Sequence, residues 1–301
     1  MTKTVTYRPP SDQPIRARRV GFDWDTTPLQ WIPGDPQTTH TINVLHLLLP
    51  AGESWFVDVF REVLPLVTDD ALRADVRGFM GQETIHGRSH DHVLDHLAAQ
   101  GIDTRPFTRR VEWLLFRFLA ADPFGHKLGG WLHRQWLLFR VAIVSALEQY
   151  TAVLGIWVLD AVALDRAGAD PTMVDLLRWH GAEEVEHRSV AYDLYQHVSG
   201  SYLRRQFALL NTTVVLATLW VWGVRFLMKA DPGVSKRASW RAFFHAGKIG
   251  RLPTFASLAG AFFRYLQPWH HPSREGSTLR ALAYLATSPA AQAAARRQPT
   301  D

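Results

Sequence analysis

Apolar positions recur at helical spacing along most of the chain, in long stretches separated by short breaks carrying Pro, Gly or Asp. Residues 1–38 are rich in Pro, Asp, Thr and Arg and read as an irregular arm. A first helix is expected over 51–67, after Pro50. A second is expected over 69–100, with Asp69 or Asp70 as its N-cap and Gly101 as its stop. A third covers about 107–121 and ends before Pro123, and a long apolar helix follows over about 128–167. Another opens at Asp170-Pro171, where the Pro suits a first helical position, and runs to about residue 198. No alternating strand pattern of comparable strength occurs, so the expected fold is all-α, with a helical bundle over 39–200.

Residues 201–290 read as a C-terminal helical extension, and 291–301 as a disordered tail. The extension contains 207–224, which has no charged residue and reaches the lower length limit of a membrane span. Asn211 and three Thr dilute it, and basic residues at both ends specify no orientation. Packing against the bundle or against a second subunit, as in a homodimer, is the favoured reading; contact with a membrane surface and a true membrane span are the alternatives.

Composition narrows the chemistry. The 301 residues are 47% hydrophobic and include 12 Trp, which fits a well-packed core and an apolar or aromatic substrate cavity. There is no Cys, so thiolate zinc sites, iron–sulfur clusters and disulfides are excluded, and His and carboxylates are the available metal ligands. The net charge of +5 is uneven: residues 225–264 carry eight Lys/Arg against Asp231 alone. Such a segment suits an anionic partner, but no nucleic-acid-binding signature accompanies it, and no nucleic acid partner is expected. The first twenty residues lack an apolar signal core, so a cytoplasmic location is expected, with a peripheral position at the inner face of the membrane as a variant.

Two Glu-x-x-His pairs, Glu83/His86 and Glu184/His187, stand about a hundred residues apart, each inside a predicted helix. At i and i+3 both side chains leave one helix face, so each pair can grip one metal. Composition alone would produce fewer than one such pair. Glu148 lies in a stretch with no other acid between Asp122 and Asp160, among Val141, Ile143, Val144 and Val153. A protonated core Glu is the competing reading there. Glu53 is open to a blander reading, as a first-turn acid complementing a helix dipole. His180, Glu184 and His187 share one face, with Glu183 and Glu186 expected to point away, solvated or salt-bridged. His90 continues the series from Glu83 and His86, as a ligand or as a residue that orients one. His92, His96 and His197 read as surface residues.

The order Glu53, Glu83-x-x-His86, Glu148, Glu184-x-x-His187 resembles that of the ferritin-like carboxylate di-iron proteins over about residues 50–200. The motif His180-x-x-x-Glu184-x-x-His187 resembles the three-histidine variant of the di-iron arylamine N-oxygenases. The segments PAGESWF and GQETIHGRSH are similar to a bacterial family catalogued as predicted metal-dependent hydrolases. The resemblance implies a ferritin-like four-helix bundle with additional C-terminal helices. It also implies Glu83 and Glu184 as bridges, with Glu53 and His86 completing one metal and Glu148, His187 and His180 the other.

Seven or eight N/O ligands with four carboxylates suit two Fe, or Mn. The leading expectation is an oxidoreductase, a monooxygenase or oxidase that activates O₂ to oxidise an apolar small molecule. With no dinucleotide fingerprint in the chain, it would draw electrons from an external donor such as an electron-transfer protein. The runner-up is a dinuclear metal-dependent hydrolase of a phosphate or ester, for which His90-Asp91 supplies the His-Asp dipeptide of helical phosphohydrolases. A metal-storage protein is a third class.

Overall fold

The computed structural model describes residues 14–234 and 237–297, and among these there is no strand. Helix α1 spans Pro36–Val63, α2 Asp70–Ala99, α3 Arg105–Trp113, α4 Gly130–Asp160, α5 Val162–Arg166, α6 Pro171–His187 and α7 Val190–Val198. The second half adds α8 Tyr202–Ala230, α9 Trp240–Lys248, α10 Phe255–Leu266, α11 Thr278–Thr287 and α12 Pro289–Arg297.

The first helix starts well before Pro50. Asp35 caps it by accepting from the Thr38 N–H at 3.1 Å, Pro36 stands in its first turn, and Pro50 lies inside it. Proline removes one intrahelical hydrogen bond but does not end a helix that packing holds on both sides. Glu53 is therefore a mid-helix residue, and the helix-dipole reading of it does not apply. The predicted single helix over 128–167 breaks at Ala161, and that over 170–198 loosens at Arg188-Ser189. The third helix closes earlier than expected, with a wider π-helical turn over Leu114–Phe118. The tail expected to be disordered from residue 291 is helical to Arg297, and Ala290, Ala291 and Ala294 are buried; 298–301 lie outside the described residues.

Helices α1, α2, α4 and α6 form the bundle, with α1 packed on α2 and α4 on α6. Trp55, Phe60, Phe79, Val144 and Trp179 fill its core. Two glycines set the spacing of α4 and α6. A Cβ on Gly155 would stand 2.4 Å from the Gly181 carbonyl oxygen, and one on Gly181 would stand 2.9 Å from the Gly155 Cα. The arm before α1 is irregular, as expected, but it is packed. Ile15 is buried, and its carbonyl oxygen lies 2.4 Å from where a Cβ on Gly78 of α2 would be.

Helices α4 and α8 are both long and apolar enough to cross a membrane by composition. They differ in packing: the apolar window of α4 is 72% buried inside the protein and that of α8 only 22%. α8 lies along α1 and α4, α10 packs on α4 and α8, and α11 covers α6.

Candidate metal centre

Four helices each send carboxylates to one buried point. Glu53 comes from α1, Glu83 and His86 from α2, Glu148 from α4, and His180, Glu184 and His187 from α6; all are at most 6% exposed. Two groups of three form there, Glu53 with His86 and His180, and Glu83 with Glu184 and His187. Within each, the potential ligand atoms lie within 4.8 Å of one another. Glu148 joins the second group, its Oε2 3.3 Å from His187 Nε2.

Glu184 and Glu83 lie between the two groups. Glu184 Oε1 is 2.7 Å from His180 Nε2 and 3.5 Å from His86 Nδ1, while its Oε2 is 3.3 Å from His187 Nε2. Glu83 Oε1 stands 3.6 Å from His86 Nδ1 and 3.4 Å from His187 Nε2. His180 departs from what the resemblance implied. It sits with Glu53 and His86, its Nε2 3.6 Å from Glu53 Oε1, and not with Glu148 and His187. The reason is axial. His180 precedes Glu184 by one turn and His187 follows it by nearly one, so with a rise of about 1.5 Å per residue they fall on opposite sides of it.

A second layer holds the imidazoles in place. His86 Nε2 is 2.8 Å from Glu183 Oε2, which turns Nδ1 to the centre. His187 Nδ1 is 2.9 Å from Gln82 Oε1, which turns Nε2 inward, and Gln82 donates in turn to Glu186 at 2.7 Å. Glu183 and Glu186 are therefore buried parts of the site rather than solvated. Arg18 from the arm pairs with both, at 2.7 and 2.9 Å. His90 contacts His180 rather than the centre, with Nε2 2.6 Å from His180 Nδ1. His90 Nδ1 lies 2.7 Å from His46 Nδ1. Such partners fix the tautomer and ring angle of a metal-binding His. Trp179 meets His86 edge-on at 5.1 Å, and Phe79 meets His187 at 4.6 Å, which closes the centre with aromatic walls.

The sequence reading missed Arg18, His46 and Gln82. Gln82 and Glu186 carried a signal, because each adjoins or flanks a Glu-x-x-His pair at helical spacing. Arg18 and His46 carried none, the first lying in the irregular arm and the second in the part of α1 that precedes Pro50. Of the three His read as surface, His92 and His197 are exposed, while His96 is half-buried with Nε2 3.0 Å from the Thr27 carbonyl.

The residues fit a metal pair. Both oxygens of Glu53, Glu83 and Glu148, and Nδ1 of His86, are buried with no hydrogen-bond partner in the protein. Leaving such atoms unsatisfied costs several kcal/mol in total, roughly 1–3 for each group and more for a charged one. Four carboxylates would balance two divalent cations. Protons take that role in the metal-free protein. Burial, with Glu83 close by, pushes Glu53 well above the usual carboxylate range, and burial beside Glu184 pushes Glu148 up to about 8. Burial would lower His86 and His187, but the surrounding carboxylates outweigh it and hold both well above the ordinary imidazole value. Burial would raise Glu184, yet His187, His180 and His86 hold it well below. Burial, then neighbouring imidazoles, lowers His90, His180 and His46, the last to about 3.

A family model described as "Predicted metal-dependent hydrolase" matches residues 16–276, from the arm that carries Arg18 to the loop before α11. The chain belongs to that family. No curated protein and no solved structure matches it.

Proposed function

We propose, from membership of the predicted metal-dependent hydrolase family, that this protein is an enzyme working through two metal ions held by Glu53, Glu83, His86, Glu148, His180, Glu184 and His187. The observation that carries the reading is the convergence of seven partnerless buried ligand atoms from α1, α2 and α4 on the His side chains of α6. A bound metal pair would supply Lewis-acid polarisation of a phosphate or ester oxygen and make water acidic enough to react near neutral pH. The chain's own residues do the positioning. Glu183 and Gln82 aim His86 and His187, His90 aims His180, and Arg18 holds the outer carboxylates against mutual repulsion. Trp179 and Phe79 keep bulk water from the imidazoles.

Hydrolysis is the reaction that the family description supports. The O₂-dependent oxidation of an apolar small molecule, on two Fe or Mn and with an external electron donor, is the second reading. It is favoured by the third imidazole, His180, and by the carboxylate-rich donor set, both suited to a redox metal. One experiment separates them. The protein is purified, its metal content measured, and the holoenzyme assayed under nitrogen against chromogenic phosphate and carboxylate esters. Oxygen uptake with a chemical reductant is followed in parallel. Ester cleavage under nitrogen that chelation abolishes supports hydrolysis. Metal-dependent oxygen uptake with no cleavage of any ester supports the oxidative reading and overturns the first.

A further inference from the structure

Helix α8 meets the bundle with one face and leaves the other uncovered. Leu203, Phe207, Leu210 and Val214 follow one another at spacings of four, three and four and so form a single stripe, each more than half exposed. Trp240 and Phe244 of α9 and Phe255 and Phe263 of α10 are also more than half exposed. An apolar surface of this extent marks an interaction site. Behind it, α1, α4, α8, α9 and α10 enclose a cavity of about 520 Å³ whose wall is almost wholly apolar. Leu210, Trp240, Phe255 and Phe263 belong to both the exposed surface and the cavity wall, so they form its mouth. Arg225 lines the same cavity, and none of the metal ligands does.

Charge says what covers this face. Arg225, Lys229, Arg237, Arg241 and Lys248 are exposed, and none forms an ion pair with a described residue, whereas Arg251 and Arg264 are held by Asp35 and Glu275. Asp231, the one acid in this segment, is engaged by His40 and Gln30. Arg225 and Lys229 continue the stripe of α8 beyond Val214 at helical spacing, and Lys248 follows Trp240 and Phe244 on α9, so in a two-fold dimer through this face these cations would confront their own copies, which disfavours self-association. An anionic bilayer would complement them. Of the polar residues that dilute this helix, Asn211, Thr213 and Thr218 each donate to the helix's own carbonyl four residues back, at 2.7 Å, and Thr212 is buried against the protein, away from the uncovered face. Polar groups satisfied within the helix are tolerated beside lipid.

We propose that this face docks on an anionic bilayer, with α8 lying along the surface rather than crossing it, and that the cavity takes the acyl chain of a lipid from that bilayer. Because α8 is packed lengthwise on α1 and α4, crossing would drag the bundle's polar exterior into hydrocarbon. Arg225 at the cavity wall meets the anionic end of the lipid. The inference uses no residue of the metal centre and stands whichever reaction that centre performs.

The test is flotation of the full-length protein with phosphatidylcholine vesicles, with and without phosphatidylglycerol, at low and high salt. The protein should rise with the anionic vesicles at low salt and at least tenfold less with neutral vesicles or at high salt. The charge-reversed variant Lys229→Glu/Arg241→Glu/Lys248→Glu and the mouth variant Trp240→Ser/Phe255→Ser/Phe263→Ser should each lose at least tenfold, with metal content and circular dichroism unchanged. All six positions are exposed, and none belongs to either group of candidate ligands. A dansyl-labelled fatty acid should bind the parent protein and bind at least tenfold more weakly to Leu154→Trp/Ala259→Trp, which fills the cavity, while flotation persists. Failure of the parent protein to float, or undiminished flotation of the charge-reversed variant, overturns the docking. A dimer in light scattering that the mouth variant breaks, without lipid binding, assigns the face to a second copy instead. Unchanged fatty-acid binding in the filled variant overturns the cavity's role.

Discussion

Each carboxylate at the centre is too costly to bury alone, and that cost makes its role testable residue by residue. Glu148 is the member of the proposed ligand set that α4 contributes, and it stands on the side of Glu83, Glu184 and His187. Glu148→Gln keeps the volume and removes the charge, so the protein should fold and retain the metal near Glu53, His86 and His180 while losing the other. Metal analysis after gel filtration checks this; two equivalents retained would remove Glu148 from the ligand set. Glu183 touches no metal position but fixes His86. Glu183→Gln should weaken metal binding by about 10–100-fold, the usual effect of losing a residue that orients a ligand. A competition titration against a coloured chelator reads that change. Protonation sets a third expectation. Because Glu53, Glu148, His86 and His187 hold protons more tightly in the metal-free fold than they would free in water, metal must displace them. Affinity should therefore climb as pH rises through about 8, where Glu148 titrates, with protons released on binding. Calorimetry in two buffers of different ionisation enthalpy measures the release; identical heats would contradict it.

At the scale of elements, the centre depends on how closely α4 and α6 approach. Gly155 and Gly181 face each other where any side chain would collide with the opposing backbone. Gly181 lies one turn before Glu184, and Gly155 two turns after Glu148, so separating the helices there opens the gap between these ligands. Gly181→Val should cost about 1–3 kcal/mol by overpacking and should weaken metal binding as well, which urea denaturation and metal analysis would register together. The arm is an element of the site in the same sense. Arg18→Ala would leave Glu186 buried with Gln82 as its partner and no cation, and Glu183 with His86 alone. It should cost about 2–3 kcal/mol, below the range for a fully buried pair because the Arg18 side chain is 26% exposed. Urea denaturation of the metal-free variant checks it, and an unchanged midpoint would mean that the arm does not neutralise the pair.

For the whole molecule, metal binding and folding should be linked, because the candidate ligands come from four separate helices and meet only in the folded state. Metal at about a hundred times its dissociation constant should add roughly 2.7 kcal/mol of stability, so chelation should lower the melting temperature. An equal melting temperature with and without chelator would show that the centre contributes nothing to the fold. The uncovered face of α8 should be indifferent to chelation, since it shares no residue with the centre.

Much of this arrangement lies in local pattern. Two Glu-x-x-His pairs on long helical stretches and a lone Glu148 in an apolar helix can be read without coordinates, because i,i+3 spacing puts two side chains on one face and a charge rarely survives burial without a partner. The all-α character follows from the same periodicity. Other features depended on contacts between distant segments. The start of α1 at Pro36 was obscured because Pro50 looks like a boundary when its neighbours are unknown, and with it His46 was lost. Arg18 reaches Glu183 and Glu186 across more than 160 residues, by a path through irregular chain that carries no periodicity. The side on which His180 falls needed the axial placement of α6 against Glu53, since a shared helix face does not say which metal position a residue faces. The exposure of α8 is of the same kind: an apolar helix reads alike in sequence whether it is covered by protein or left bare, and only the packing of its neighbours tells the two apart.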